Sequence, residues 1–218
     1  MIDDIFSTDV LWQMSLAERA AVLYLLGQMR EKKVAIEVGS YRGGFTRVLA
    51  ERFDVVYSLD IDHSKLWIDP KHYPNLVLVE GNSRDTLPAL IAELGDADIN
   101  FVLIDGDHET GAVIADINSV LTYKPQSEML VLMHDSWCTT TRAAINHAAW
   151  DECPYVHLVE KDFVPGDLMG GSRGNFFVGG LALALLRPDR RYSNIEVRQA
   201  QDYMYRICLE GLERRVPC

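Results

Sequence analysis

Two short blocks carry side chains that could move a proton or hold a cation. Asp105, Asp107 and His108 follow the apolar run 99–104, and His134 and Asp135 end the run 129–135. A carboxylate or imidazole at a strand end can take the proton of a weak hydroxyl nucleophile, and oxygen-rich donor sets suit Mg2+. Two further acids end earlier apolar runs. Glu37 lies in 34–38, and Asp60 closes 55–60. Between them stand Gly39, Ser40, Tyr41, Arg42, Gly43 and Gly44. Such a glycine turn lets backbone N–H groups approach a ligand at the start of a helix. Asp60 lies about 20 residues past the glycines, the separation at which a carboxylate reaches a ribose held at the first turn. Its neighbour Asp62 is second choice for that role.

These residues need a frame that brings strand ends together. Strand-like runs occur at 34–38, 55–59, 76–79, 99–104, 129–133, 155–159 and 176–186. Helical patterns lie at 45–52, 64–67, 84–94, 110–121, 140–150 and 196–214. Alternation of this kind predicts an α/β fold with a doubly wound, mostly parallel sheet. The last two strands are joined by a Gly/Pro-rich loop without a helix, so they should pair antiparallel. Ser15-Leu16-Ala17-Glu18 reads as a capping box opening a helix to about residue 29. Three regions result: an N-terminal helical segment at 1–33 that either packs on the core or lids the site, a catalytic domain at 34–190, and a C-terminal helix at 191–218. That last helix either packs on the domain or makes a homodimer contact.

The 218 residues suit one sizeable core. A net charge of −11 argues against nucleic acid or an anionic membrane as partner. No apolar run is long enough to span a bilayer. The four cysteines show neither close pairs nor metal spacing, which reads as reduced thiols in a cytoplasmic protein.

The motif Glu37-x-Gly39-x-x-x-Gly43 with strand-end Asp60 resembles the class I S-adenosylmethionine-dependent methyltransferases, and is closest to bacterial small-molecule O-methyltransferases of the catechol and macrolide-sugar types. Blocks 80–85, 103–108 and 132–136 follow in the family's order. The resemblance implies a Rossmann-like sheet of seven strands with the last antiparallel. It implies S-adenosylmethionine as cofactor and a small-molecule hydroxyl as acceptor, as in natural-product biosynthesis. Gly39, Ser40, Tyr41 and Gly43 would lie under the methionine moiety, with Glu37 orienting the loop and its amino group. Asp60 would accept from both ribose hydroxyls, Ser83 and Arg84 would meet adenine, and Asp105 would sit beside the reacting methyl group. Asp105 and Asp135 match the acids that hold Mg2+ or a similar ion in metal-dependent relatives, with Ser136 at the third position. The competing mechanism is metal-free, with His108 or His134 as general base.

Two other readings compete. One is a nicotinamide-dependent oxidoreductase on the same fold, which the glycine spacing disfavours because GxGxxG is absent. The other is a non-catalytic nucleoside-binding partner protein, which the intact acids disfavour. Trp137 could floor a substrate pocket or pack on the following helix, and the polar segment 162–173 reads either as a substrate loop or as a flexible hairpin connection.

Overall fold

The computed structural model describes residues 5–6, 12–171 and 174–213. Its frame alternates strand and helix. β1 (Val34–Val38) leads to α2 (Gly44–Ala50) and β2 (Val55–Asp60). β3 (Leu76–Glu80) leads to α3 (Ser83–Leu94), β4 (Ile99–Ile104) to α4 (Thr110–Leu121), and β5 (Met129–His134) to α5 (Thr139–His147). α1 (Leu16–Gln28) precedes them, and its predicted capping box is present in full: Ser15 and Glu18 each accept from the other's backbone N–H.

The sheet order is β10-β6-β9-β5-β4-β1-β2-β3, where β6 is Val156–Val164, β9 is Leu181–Leu186 and β10 is Val197–Arg198. β9 runs antiparallel between β5 and β6, and the other pairs are parallel. Alternate strand residues feed two cores, one on each face. Ile36, Val102 and Val131 face α3, α4 and α5. Ala35, Phe101 and Leu132 face α1 and α2. Both faces of the central strands are therefore covered, which is why β1, β4 and β5 are buried along their whole length.

Four expectations need correction. The sheet has eight strands rather than seven, because the two-residue β10 adds to the edge of β6. The predicted strand 176–186 is two strands, since Gly179 and Gly180 both take positive φ (67° and 86°) and break the run. Its first part, β8 (Gly174–Val178), pairs with β7 (Asp167–Gly171), which agrees with the hairpin alternative for that connection. The predicted helix 64–67 is replaced by 3-10 turns at His63–Lys65 and Pro70–His72, each capped by the aspartate before it. The C-terminal helix, α6 (Asp202–Glu213), starts late because Glu160 and Asp162 capture the N–H groups of Ala200 and Gln201. Residue 214 lies outside the described residues.

α6 tucks Tyr205 against Trp137 and Phe177 but leaves Tyr203, Met204 and Ile207 exposed. Trp137 therefore packs inward on this cluster, 5.6 Å from the Phe177 ring and 5.5 Å from that of Tyr205, and does not floor the cavity.

Candidate active site

The C-terminal ends of β1, β2, β4 and β5 open into one cavity of about 930 Å3. That lies near the upper end of the roughly 300–1,000 Å3 usual for ligand sites, enough for a nucleoside cofactor and a small second ligand.

At one end lies the glycine turn. Gly39 has φ 88°, and a Cβ there would stand 2.1 Å from the Asp105 carbonyl oxygen, so no other residue lets β1 and β4 approach this closely. The Asp60 carboxylate organises the turn. Its Oδ2 accepts from the Ser40 N–H (2.9 Å), the Ser40 hydroxyl (3.1 Å) and the Tyr41 N–H (3.0 Å). Its Oδ1 accepts, among the described residues, from the Asp62 N–H alone (3.1 Å), which leaves acceptor capacity toward the cavity. Burial raises Asp60, but these backbone donors outweigh it and hold the carboxyl below its ordinary range. Asp62 caps Ser64 instead of facing the cavity.

Glu37 is buried beneath the turn. It accepts from the Thr46 hydroxyl at 2.5 Å and the Ser58 hydroxyl at 3.1 Å. Burial dominates these bonds and pushes its carboxyl up to about 8. Among the described residues Glu37 accepts from these two hydroxyls, and the site favours a proton or a ligand cation at this point.

Ser83 lines the cavity with Gly81 and Asn82. Arg84 does not: it is exposed at the start of α3, where Asn82 caps its N–H. The side chain that the resemblance assigns to adenine is thus exposed at the helix start and does not line the cavity.

At the other end the four acid and imidazole groups meet. His134 Nδ1 stands 3.0 Å from Asp105 Oδ1 and 3.4 Å from Asp135 Oδ2. His108 Nε2 stands 3.2 Å from Asp135 Oδ2 and 3.7 Å from Asp105 Oδ1. Asp135 reaches this position through a left-handed backbone, φ 54°, uncommon for a non-glycine residue and a local cost that its surroundings must hold. The N–H of Gly179 does so, donating to Asp135 Oδ1 at 2.6 Å.

The electrostatics separate the two histidines. Burial alone would depress His134, but Asp105, Asp135 and Glu18 outweigh it and hold the imidazolium well above the ordinary histidine range. A ring that keeps both protons is a poor base, so His134 fits a cationic brace better than the predicted base. His108 is half exposed and is raised chiefly by Asp105. Burial raises Asp135, but the His134 and His108 rings and the Gly179 N–H outweigh it and hold it well below the usual carboxylate range.

Asp105, His108 and Asp135 each offer a donor atom within 4.8 Å of the others, a set that fits a divalent ion. Ser136 does not join them. It is fully buried, away from the cavity, with its Oγ facing Gly180. The left-handed turn at Asp135 sends the next side chain to the opposite side, and the imidazole of His108 takes the third place.

Sequence reasoning missed Glu18. It reads as a capping residue, yet its carboxylate is 2% exposed and lies 3.3 Å from His134 Nε2. Its Oε1 also accepts from the Gly180 N–H at 2.6 Å. With Gln13, Met14, Asp167 and Val178 it lines the same cavity. A glutamate in a capping box announces only the helix, so nothing local could signal this second duty.

Comparison with known proteins gives a consistent frame. Residues 36–136 match a family described as a methyltransferase domain. No curated protein matches the sequence. Among solved structures, the O-methyltransferase from Bacillus cereus in complex with SAH is similar at TM-score 0.55 and 15% identity, over 83% of this chain and 84% of that one. A protein from Lactococcus lactis provisionally described as a hemolysin gives TM-score 0.58 and 15% identity, over 87% and 94%. The MycE methyltransferase of the mycinamycin biosynthetic pathway, in complex with Mg, SAH and mycinamycin VI, gives 0.51 and 16%, over 85% of this chain and 53% of that one. At these identities the likeness is one of fold.

Proposed function

We propose that this chain, which has the class I S-adenosylmethionine-dependent methyltransferase fold and carries a methyltransferase domain at residues 36–136, moves the methyl group of S-adenosylmethionine to a hydroxyl of a small molecule. The supporting observation is the single cavity. It joins the turn organised by Asp60 to the group formed by Asp105, His108, His134 and Asp135.

Methyl transfer from a sulfonium is an in-line displacement that needs alignment and loss of the acceptor's proton. In this reading the glycine turn and Asp60 hold the nucleoside, and Glu37 faces the cationic amino-acid end. Asp105 lies where the first half of the cavity meets the second, within reach of both ligands. With no ion bound, His108 takes the hydroxyl proton, while the cationic His134 keeps Asp105 and Asp135 aimed at the same point. Asp105, His108 and Asp135 would hold a divalent ion such as Mg2+, which when bound lowers the pKa of an acceptor hydroxyl. The wall from Glu18, Asp167 and His134 suits a polar acceptor.

Calorimetry with S-adenosylhomocysteine, followed by a screen of hydroxylated small molecules for methyl transfer with and without chelator, tests the reading. Association with the nucleoside and turnover on a hydroxyl are expected, with Asp135→Ala inactive but still binding the nucleoside. No association at millimolar concentration would refute it. Full wild-type activity in excess chelator would remove the ion and leave His108 as the base.

A further inference from the structure

We propose that Trp67 is a positioning residue for the nucleoside cofactor: through Arg42 it holds the turn at residues 40–43 in its binding shape. The proposal rests on the methyl-transfer reading above.

The turn needs a support. Tyr41 sits in a left-handed conformation (φ 47°) that non-glycine residues rarely adopt, and in that conformation its N–H reaches Asp60. Such a conformation persists only when its surroundings over-determine it. The segment after β2 supplies the surroundings. The Trp67 N–H donates to the Arg42 carbonyl at 3.1 Å. The Arg42 guanidinium lies 3.7 Å from the centre of the Trp67 ring and 5.1 Å from that of Tyr41. A Cβ on Gly43 would stand 2.9 Å from Ile68 Cγ1 and 3.0 Å from Leu66 Cδ2, so the segment is seated directly on the turn.

The same segment reaches the ligand. Ile61 and Lys65 line the cavity beside Ser40 and Tyr41. Trp67 itself lines nothing and is 57% exposed. It belongs to neither large core. Its removal should therefore loosen the turn while leaving the global fold intact. A stacked cation–π pair at an exposed site is a modest brace, so the expected loss is modest too.

Calorimetric titration with S-adenosylhomocysteine on the wild type, Trp67→Ala, Trp67→Phe, Arg42→Ala and the double alanine variant decides the matter. Trp67→Ala and Arg42→Ala should each weaken binding about five-fold. The double variant should be no weaker than about the worse single one, because both remove the same contact. Trp67→Phe should stay within about two-fold of wild type, with melting temperatures of all variants within about 2 °C. Wild-type affinity in Trp67→Ala would overturn the proposal, as would a fall in melting temperature with affinity unchanged. A wild type that binds no S-adenosylhomocysteine would overturn the methyl-transfer reading, and the brace with it.

Discussion

Glu37 and Asp60 show how two carboxylates on neighbouring strands acquire opposite properties. Asp60 sits among backbone N–H groups and stays ionised, whereas Glu37 has only two hydroxyl donors in a buried place and holds its proton up to about pH 8. Because the folded value is raised above 4.5, the stability from the protonated form is fully present below pH 4.5 and is lost as pH climbs to about 8. Glu37→Gln should flatten that slope in chemical denaturation between those limits. A ligand cation beside Glu37 should expel the proton. Calorimetry of S-adenosylmethionine binding at pH 7 in two buffers of different ionisation enthalpy is expected to show release of about one proton, absent in the Gln variant. Asp60→Ala should cost about 1–3 kcal/mol of nucleoside affinity, the range for lost charge-assisted hydrogen bonds. Titration with S-adenosylhomocysteine checks this, and unchanged affinity would exclude the role.

At the scale of elements, α1 acts through one residue. Glu18 accepts from Ser15 within its own helix, from Gly180 at the start of β9, and faces His134 at the end of β5. Three elements are thereby fixed at one buried carboxylate. Burial raises Glu18, yet His134 and Ser15 outweigh this and leave it below the ordinary glutamate range, consistent with an ionised group opposite a cation. Glu18→Gln keeps a capping-box residue but removes the charge. It should lower stability by about 1–3 kcal/mol, since His134 then faces one carboxylate fewer in a buried site. Urea denaturation at pH 7 reads the change. An unaltered midpoint would show that the charge of Glu18 contributes nothing.

At the scale of the whole molecule, the matched stretch 36–136 is less than the folded unit. Val22, Leu23 and Leu26 of α1 lie in the same core as Phe45, Phe101 and Leu132, and β9 fills the gap between β5 and β6. Removing residues 1–33 would expose that face of the sheet and withdraw Glu18 from His134. The truncated chain should lose its cooperative thermal transition in circular dichroism. A sharp transition near the full-length temperature would show α1 to be an appendage.

Much of the fold was legible in the chain itself, because its signals are local. Short continuous apolar runs, glycines that only a tight turn needs, and acids at strand ends are read residue by residue. They gave the parallel sheet, the antiparallel β9, the capping box and the places of Gly39, Asp60, Asp105 and Asp135 in one cavity. Contacts between distant segments were not legible. The pairing of Glu18 with His134, the replacement of Ser136 by His108, the outward turn of Arg84 and the seat of Trp67 on Arg42 each depend on backbone angles or on packing across the sheet. A sequence names the donors and acceptors on each strand end. Only the folded chain decides which of them meet, since a buried charge takes its properties from neighbours distant in the chain, as Glu18 does from His134.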